Sequence, residues 1–228
     1  MSSPTTTFRK SSSEPPTLVT HTSEPGVVQA LRDGDVAAVR LWTLNTLPEI
    51  IPEHLPAPAI QHPLGFACLP LHRSDEHGIC LHVWEENGGY TDHIVHAHSW
   101  DLWSYVFRGA IFNEVVRVDD EAENPVKRVY EVASGGRKDQ IRATERLVKY
   151  VRSYVQEIRP GQMYRLPAGM FHRSWHRGLT ATIVLGEHQK GLSNLALAGL
   201  DGESLTSAPR DLCSSENARK LLRRLSER

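Results

Sequence analysis

The sequence is short of cysteine, of long apolar runs and of net charge, and each shortage excludes something. Three cysteines in 228 residues, Cys68, Cys80 and Cys213, are too few for the disulfide framework of a small secreted domain. They fit reduced thiols, so a cytoplasmic location is expected. No two of them stand two to four residues apart, so zinc-ribbon spacing is missing. Cys68 and Cys80 sit in neighbouring apolar runs, can meet in space, and read as small buried hydrophobes. No uninterrupted apolar stretch approaches the roughly 20 residues of a bilayer-spanning helix, so no membrane contact is expected. A formal charge of −1 leaves no basic excess for nucleic acid or an anionic membrane surface. A Gly–x–Ser–x–Gly elbow, a phosphate-binding loop and a dinucleotide fingerprint are also lacking.

What remains is the composition of a globular chain. Apolar residues make up 39 % and charged residues 23 %, enough to bury one sizeable domain. Residues 1–25 are rich in Ser, Thr and Pro and contain no apolar core of the secretory type, so a disordered tail is expected. Residues 26–61 form a helical segment and a proline-rich connector. Val28, Leu31, Val36, Val39 and Leu47 carry the helical spacing, Gly34 interrupts it, and Pro48, Pro52, Pro56 and Pro58 end it. Residues 62–190 change texture to short runs of β-branched and aromatic residues with polar turns between them, the pattern of a sandwich or barrel. "SYVFRGAIFNEVVRV" reads as two runs meeting at Arg108–Gly109. The stretch 143–157 has a charge pattern compatible with a helix, but its valines and tyrosines favour strand. Residues 191–228 form an extension ending in a helix, with Ser214 or Ser215 as cap and Leu221, Leu222 and Leu225 as its apolar side.

The densest chemistry is "YTDHIVHAHSWDLWSYVFRG", residues 90–109. His96 and His98 are two apart, and on a strand such residues share a face. Two imidazoles on one face supply half of a metal site, because an ion draws its ligands to within about 2 Å. His93 has the wrong parity for that face and is expected at a mouth or on the surface. A partner for the pair comes later, in "GQMYRLPAGMFHRSWH". There Gly161 turns the chain after a strand, Pro167 and Gly169 set the next tight turn, and His172 enters the following strand. His176, four residues on, shares the parity of His172. Because imidazole titrates near neutrality, His176 is a candidate proton shuttle.

Together the two segments resemble the cupin superfamily. Its first motif runs G–x5–H–x–H–x3,4–E–x6–G and its second G–x5–P–x–G–x2–H–x3–N. The second is matched at Gly161, Pro167, Gly169 and His172, with His176 in the asparagine position. The first is matched at His96, His98 and Gly109. Its leading glycine is one residue early, at Gly89, with Tyr90 in its place, and Leu102 stands where glutamate is usual. The resemblance spans roughly residues 62–188. It implies a mostly β fold, a cupin double-stranded β-helix or jelly-roll barrel with flanking N- and C-terminal helices, and dimerisation through sheet edges.

It also implies a divalent metal held by His96, His98 and His172, with open positions for substrate and dioxygen. Leucine is no ligand, so this three-histidine variant resembles the thiol (cysteine-type) dioxygenases. Iron(II) is the first expectation, and zinc, nickel, manganese and copper stay open because imidazole suits them all. A carboxylate from Asp92, Asp101 or Glu114 stays open as a fourth ligand. Three neutral imidazoles leave a divalent ion its full charge, which favours a small anionic substrate. Arg108, Arg165 and Arg173 are candidates to pair a substrate carboxylate, and Tyr164, Tyr105 and Trp175 to line the pocket. If the strand after Leu102 alternates, Leu102, Ser104, Val106 and Arg108 face the barrel, while Trp103, Tyr105 and Phe107 face away. Three functions follow. The first is an oxygenase acting on a thiol or amino-acid derivative. The second is a non-redox isomerase, lyase or hydrolase. The third is a non-catalytic metabolite or metal binder.

Overall fold

The computed structural model describes residues 24–86, 94–134, 138–202, 205 and 210–227. The expected tail through residue 23, and with it Gly89, Tyr90, Asp92 and His93, lies outside them. Among the described residues two helices come first, α1 (Glu24–Asp33) and α2 (Val36–Thr46). They part at Gly34, whose φ of +73° suits glycine and few other residues. Asp35 then caps α2, its Oδ1 accepting from the Ala38 N–H at 3.0 Å. The prolines that follow allow only two single 3-10 turns, Leu47–Glu49 and Pro52–His54.

Eleven strands come next among the described residues. They are β1 (Ile60–His62), β2 (Phe66–Arg73), β3 (His77–Trp84), β4 (His96–Ala97), β5 (Trp100–Asp119), β6 (Lys127–Ala133), β7 (Gln140–Ile158), β8 (Gln162–Leu166), β9 (His172–His188), β10 (Asn194–Ala198) and β11 (Asp211–Leu212). A last helix, α3 (Ser215–Ser226), is capped by Ser214. All the strands pair antiparallel, in the order β11-β1-β2-β3-β9-β4-β10-β6-β7-β5-β8, and a further β5–β9 pairing closes the sheet on itself. The protein is mostly β with flanking helices, as the sequence predicts.

Two expectations change at β5. The runs predicted to meet at Arg108–Gly109 are one continuous strand of 20 residues. Gly109 makes a bulge there instead of a turn: its φ is +70° and the register against β9 shifts on both sides of Arg108. A Cβ at Gly109 would stand 2.1 Å from Thr180 Oγ1 and 2.6 Å from the Leu179 carbonyl oxygen, so the two long strands cross too closely for any side chain. The stretch 143–157 is strand, the middle of β7.

β2, β3, the first half of β5 and the second half of β9 have two very different faces. On one, Leu69, Ile79, Leu81, Val83, Tyr105, Ile183 and Leu185 are buried with Val27, Leu31 and Val39 of α1 and α2 and Leu221 of α3. Trp103 and Phe107 join that layer. The helices therefore cover one side of the sheet. The opposite side, the inner face, carries Leu102, Ser104, Val106, Cys68, Cys80 and Val184.

Candidate functional site

The predicted strand around His96 is interrupted. β4 holds only His96 and Ala97, and β5 starts at Trp100. What positions the histidines is a set of backbone ties. His96 pairs directly with His172 across β4 and β9. The Gly169 N–H donates to the His98 carbonyl at 2.8 Å, and the Ala168 N–H to Asp101 Oδ1 at 3.0 Å. The Pro167–Gly169 turn, where Gly169 has φ +77°, therefore bolts the second motif onto the first.

The ligand nitrogens of His96, His98 and His172 all lie within 4.8 Å of one another. The ring centroids are 4.8 Å apart for His96–His98, 4.4 Å for His96–His172 and 5.1 Å for His98–His172. His96 Nδ1 is 2.9 Å from the Ile94 carbonyl oxygen and His172 Nδ1 is 3.0 Å from that of Met170. A ring that donates through Nδ1 to a carbonyl presents a neutral Nε2, the tautomer a metal needs. Trp100 stacks on His98 at 4.2 Å. Burial drives the pKa of His98 well below its usual value, helped by the neighbouring His96 and His172. His172 is pushed down to about 3, first by burial and then by His96. Both rings are neutral at physiological pH. The donor set is thus a group that can hold a metal ion.

Each of the other candidates has a definite place. Glu114 is fully buried but faces away. Val115 is the residue paired with His172, and Glu114 pairs with Arg173 on the other face of the sheet, where the Arg173 Nε donates to Glu114 Oε2 at 2.7 Å. Asp101 accepts from Ala168 and from Gln189 Nε2 at 2.8 Å, so it clamps the turn. Among the described residues no carboxylate joins the histidine group. This corrects the open fourth-ligand reading for Asp101 and Glu114.

The three arginines are also placed elsewhere. Arg108 Nη1 donates to the carbonyls of Arg224, Leu225 and Glu227. The bulge at Gly109 turns Arg108 to the end of α3, where a cation suits the exposed carbonyls. Arg165 lies over the Trp103 ring at 4.9 Å and reaches Asp101 at 3.4 Å, on the side facing the helices. Arg173 is bound to Glu114. None is in position to pair a substrate beside the histidines. His176 does share the parity of His172, but four residues of strand put it about 13 Å away, with Nδ1 3.0 Å from the Gly178 carbonyl oxygen and the ring 6.3 Å from Trp84. That distance removes it from direct proton transfer at the triad. Trp175 stacks on Phe112 at 5.6 Å on the outer face, and Tyr105 belongs to the layer under the helices.

Tyr164 stays on the inner face. It packs against Leu102, Leu166 and Val184 on one side and Val106 and Ile111 on the other. Burial raises its pKa, against contacts with Ser104 and Asn113 that lower it, so it is a neutral hydroxyl donor. Asn113 pairs with Ser174, whose Oγ donates to Asn113 Oδ1 at 2.6 Å. Asn113 Nδ2 is buried with no hydrogen-bond partner among the described residues.

Sequence reasoning missed four inner-face features. Trp100 is the wall on which His98 rests. Gly186 permits it, since a Cβ there would meet the Trp100 ring at 2.8 Å. Burial, and then the Arg210 charge, pushes the pKa of His62 well below its usual value. Cys68 and Cys80 meet, as expected, but as a polar pair with His82 beside them. Strand parity carried the signal for this last group once β2 and β3 were aligned as a hairpin.

No protein-family model matches the sequence, and no curated protein matches it. Solved structures resemble it only distantly. An RmlC-like cupin from Shewanella frigidimarina is 16 % identical, with 59 % of this chain and 86 % of that chain covered and a TM-score of 0.32. A hydroquinone 1,2-dioxygenase from Sphingomonas sp. TTNP3 is 14 % identical, covering 61 % and 73 % at 0.33. A DMSP lyase from Ruegeria pomeroyi is 13 % identical, covering 57 % and 50 % at 0.31.

Proposed function

We propose that the chain is a cupin-type metalloenzyme that holds one divalent ion, iron(II) first, on His96, His98 and His172, and oxidises a small anionic metabolite such as a thiol or amino-acid derivative with dioxygen. One observation supports this above the rest: three imidazoles converge within 4.8 Å, with no carboxylate of the described residues in the group. When bound, iron(II) supplies Lewis acidity and redox capacity at that point.

The chain's own residues do the remaining work. Burial keeps His98 and His172 neutral and ready to ligate. The Ile94 and Met170 carbonyls fix two of the rings, and Trp100 fixes the third. Leu102, Leu166 and Val184 form an apolar wall that excludes water. Tyr164, whose hydroxyl meets Ser104 and Asn113, and Asn113 itself are polar residues of the inner face, and in this reading they would orient a substrate through hydrogen bonds. With Arg108, Arg165 and Arg173 engaged elsewhere, an anionic substrate would be drawn by the ion itself, because three neutral ligands leave its charge uncompensated.

The test is elemental analysis paired with an oxygen-electrode screen of small thiols and amino acids after iron(II) loading. Oxygen uptake that stops with a chelator and returns with iron(II) is expected, as is loss of bound iron in His96→Ala and His172→Ala. Iron retained by both variants would overturn the ligand assignment. Turnover with zinc in the absence of oxygen would overturn the redox reading in favour of an isomerase, lyase or hydrolase.

A further inference from the structure

Cys68, Cys80 and His82 form a second cluster, whose sulfur and nitrogen atoms all lie within 4.8 Å of one another. Strand register explains it. Cys68 of β2 is directly opposite His82 of β3, and Cys80 precedes His82 by two residues, so all three side chains leave the same face. That face is the inner one. The pocket is apolar: Phe66, Trp84, Val106, Ile111 and Ile158 pack around the two thiols, each of which is only 7 % exposed. The His82 ring is gripped by Phe66 at 4.3 Å and by the edge of Trp84 at 5.9 Å. In the next strand, Thr182 is the residue paired with His82. It is fully buried, and its Oγ1 has no hydrogen-bond partner among the described residues.

We propose that Cys68, Cys80 and His82 bind a second metal ion, zinc(II), separate from the ion on the histidine triad. Two thiolates and an imidazole are a zinc donor set, and three protein ligands leave the fourth position open. The charges support the assignment. Two thiolates neutralise a divalent ion, so the complex is tolerated in an apolar pocket, whereas an ion on three imidazoles keeps its charge. Softness separates the two sites in the same direction: thiolates select zinc over iron(II), and the all-imidazole site has no such bias. The Thr182 hydroxyl, on the same face as His82 with Cβ atoms about 5 Å apart, is placed to hydrogen-bond whatever fills the fourth position.

The experiment uses the full chain. After metal removal, cobalt(II) is titrated in as a spectroscopic stand-in for zinc. Two equivalents are expected to bind, one of them with a thiolate-to-cobalt charge-transfer band in the near ultraviolet. Cys68→Ser/Cys80→Ser should bind one equivalent and lose the band. His96→Ala/His172→Ala should also bind one but keep it, so this proposal and the triad assignment fail separately. As a check that needs no variant, an organomercurial added to the zinc-loaded parent should release one equivalent of zinc. A parent chain without the band, a band that survives Cys68→Ser/Cys80→Ser, or no zinc released by the mercurial would each overturn the second site.

Discussion

The two faces of β2, β3, β5 and β9 are built from alternate residues of the same strands, and they have little else in common. Toward the helices the sequence of neighbours is Leu69, Ile79, Leu81, Ile183 and Leu185, every one of them buried and apolar. One residue over, the row reads Cys68, Cys80, His82, Ser104 and Thr182, and it continues past the bulge to Asn113, His172 and Ser174. The first row can be dry because nothing in it needs a partner. The second row buries thiols, hydroxyls, an amide and imidazoles, each of which is costly unless it is paired. Strand alternation thus lets one segment stabilise the fold with one set of residues and hold reactive groups with the set between them.

Substitutions on the two faces should therefore have different readouts. The largest effect is expected for His172→Ala, which should abolish metal binding at the triad while the far-ultraviolet circular dichroism spectrum stays that of the parent. Loss of the spectrum would mean that the inner face also carries the fold. Next, Leu81→Ala removes a fully buried side chain from the helix-facing layer. It should lower unfolding free energy by about 2–5 kcal/mol in a denaturant titration and leave metal stoichiometry unchanged per folded chain.

Acid should act on the buried histidines of the inner face. In the metal-free protein, folding lowers the pKa of His172 from 6.5 to about 3. The unfolded chain then takes up a proton that the folded chain refuses. The contribution of His172 is intact above about pH 6.5 and is lost as pH falls toward 3, and His98 and His62 act in the same direction. Thermal midpoints of the metal-free chain should fall over that window. In His172→Ala they should fall less steeply.

The smallest effect is expected from Gly186→Ala. Its methyl would press on Trp100 and tilt the ring on which His98 stacks, with no charge or ligand altered. Metal affinity at the triad should drop by about 10-fold in a chelator competition, in the range seen when a ligand's supporting contact is lost. An unchanged affinity would show that Trp100 does not position His98.

Much of this could be read before any coordinates. The period-2 runs announced the strands, and the alternation after Leu102 correctly sent Trp103, Tyr105 and Phe107 to one side and Ser104 and Val106 to the other. The triad was legible because its spacing is local: His96 and His98 are two apart, and His172 follows a Pro–x–Gly turn. Arg108 departs from the alternation because parity holds only up to a bulge, and the sequence alone shows a glycine without showing that β5 passes through it unbroken. For a related reason the sequence leaves Glu114 open as a ligand. Only the register of Val115 against His172 says which face a carboxylate one residue away must take.

The sequence by itself determined the strands, the helix caps, the helix break at Gly34 and the three histidines, since all of these rest on dihedral preferences and periodicities within a few residues. The tertiary structure decided which groups meet. It joined Cys68 to His82 across a hairpin, tied the Gly169 turn to His98, and sent Arg108 to the end of α3. Such meetings depend on strand register, which is set by how whole elements pack and by where a bulge adds a residue, and no local propensity encodes either.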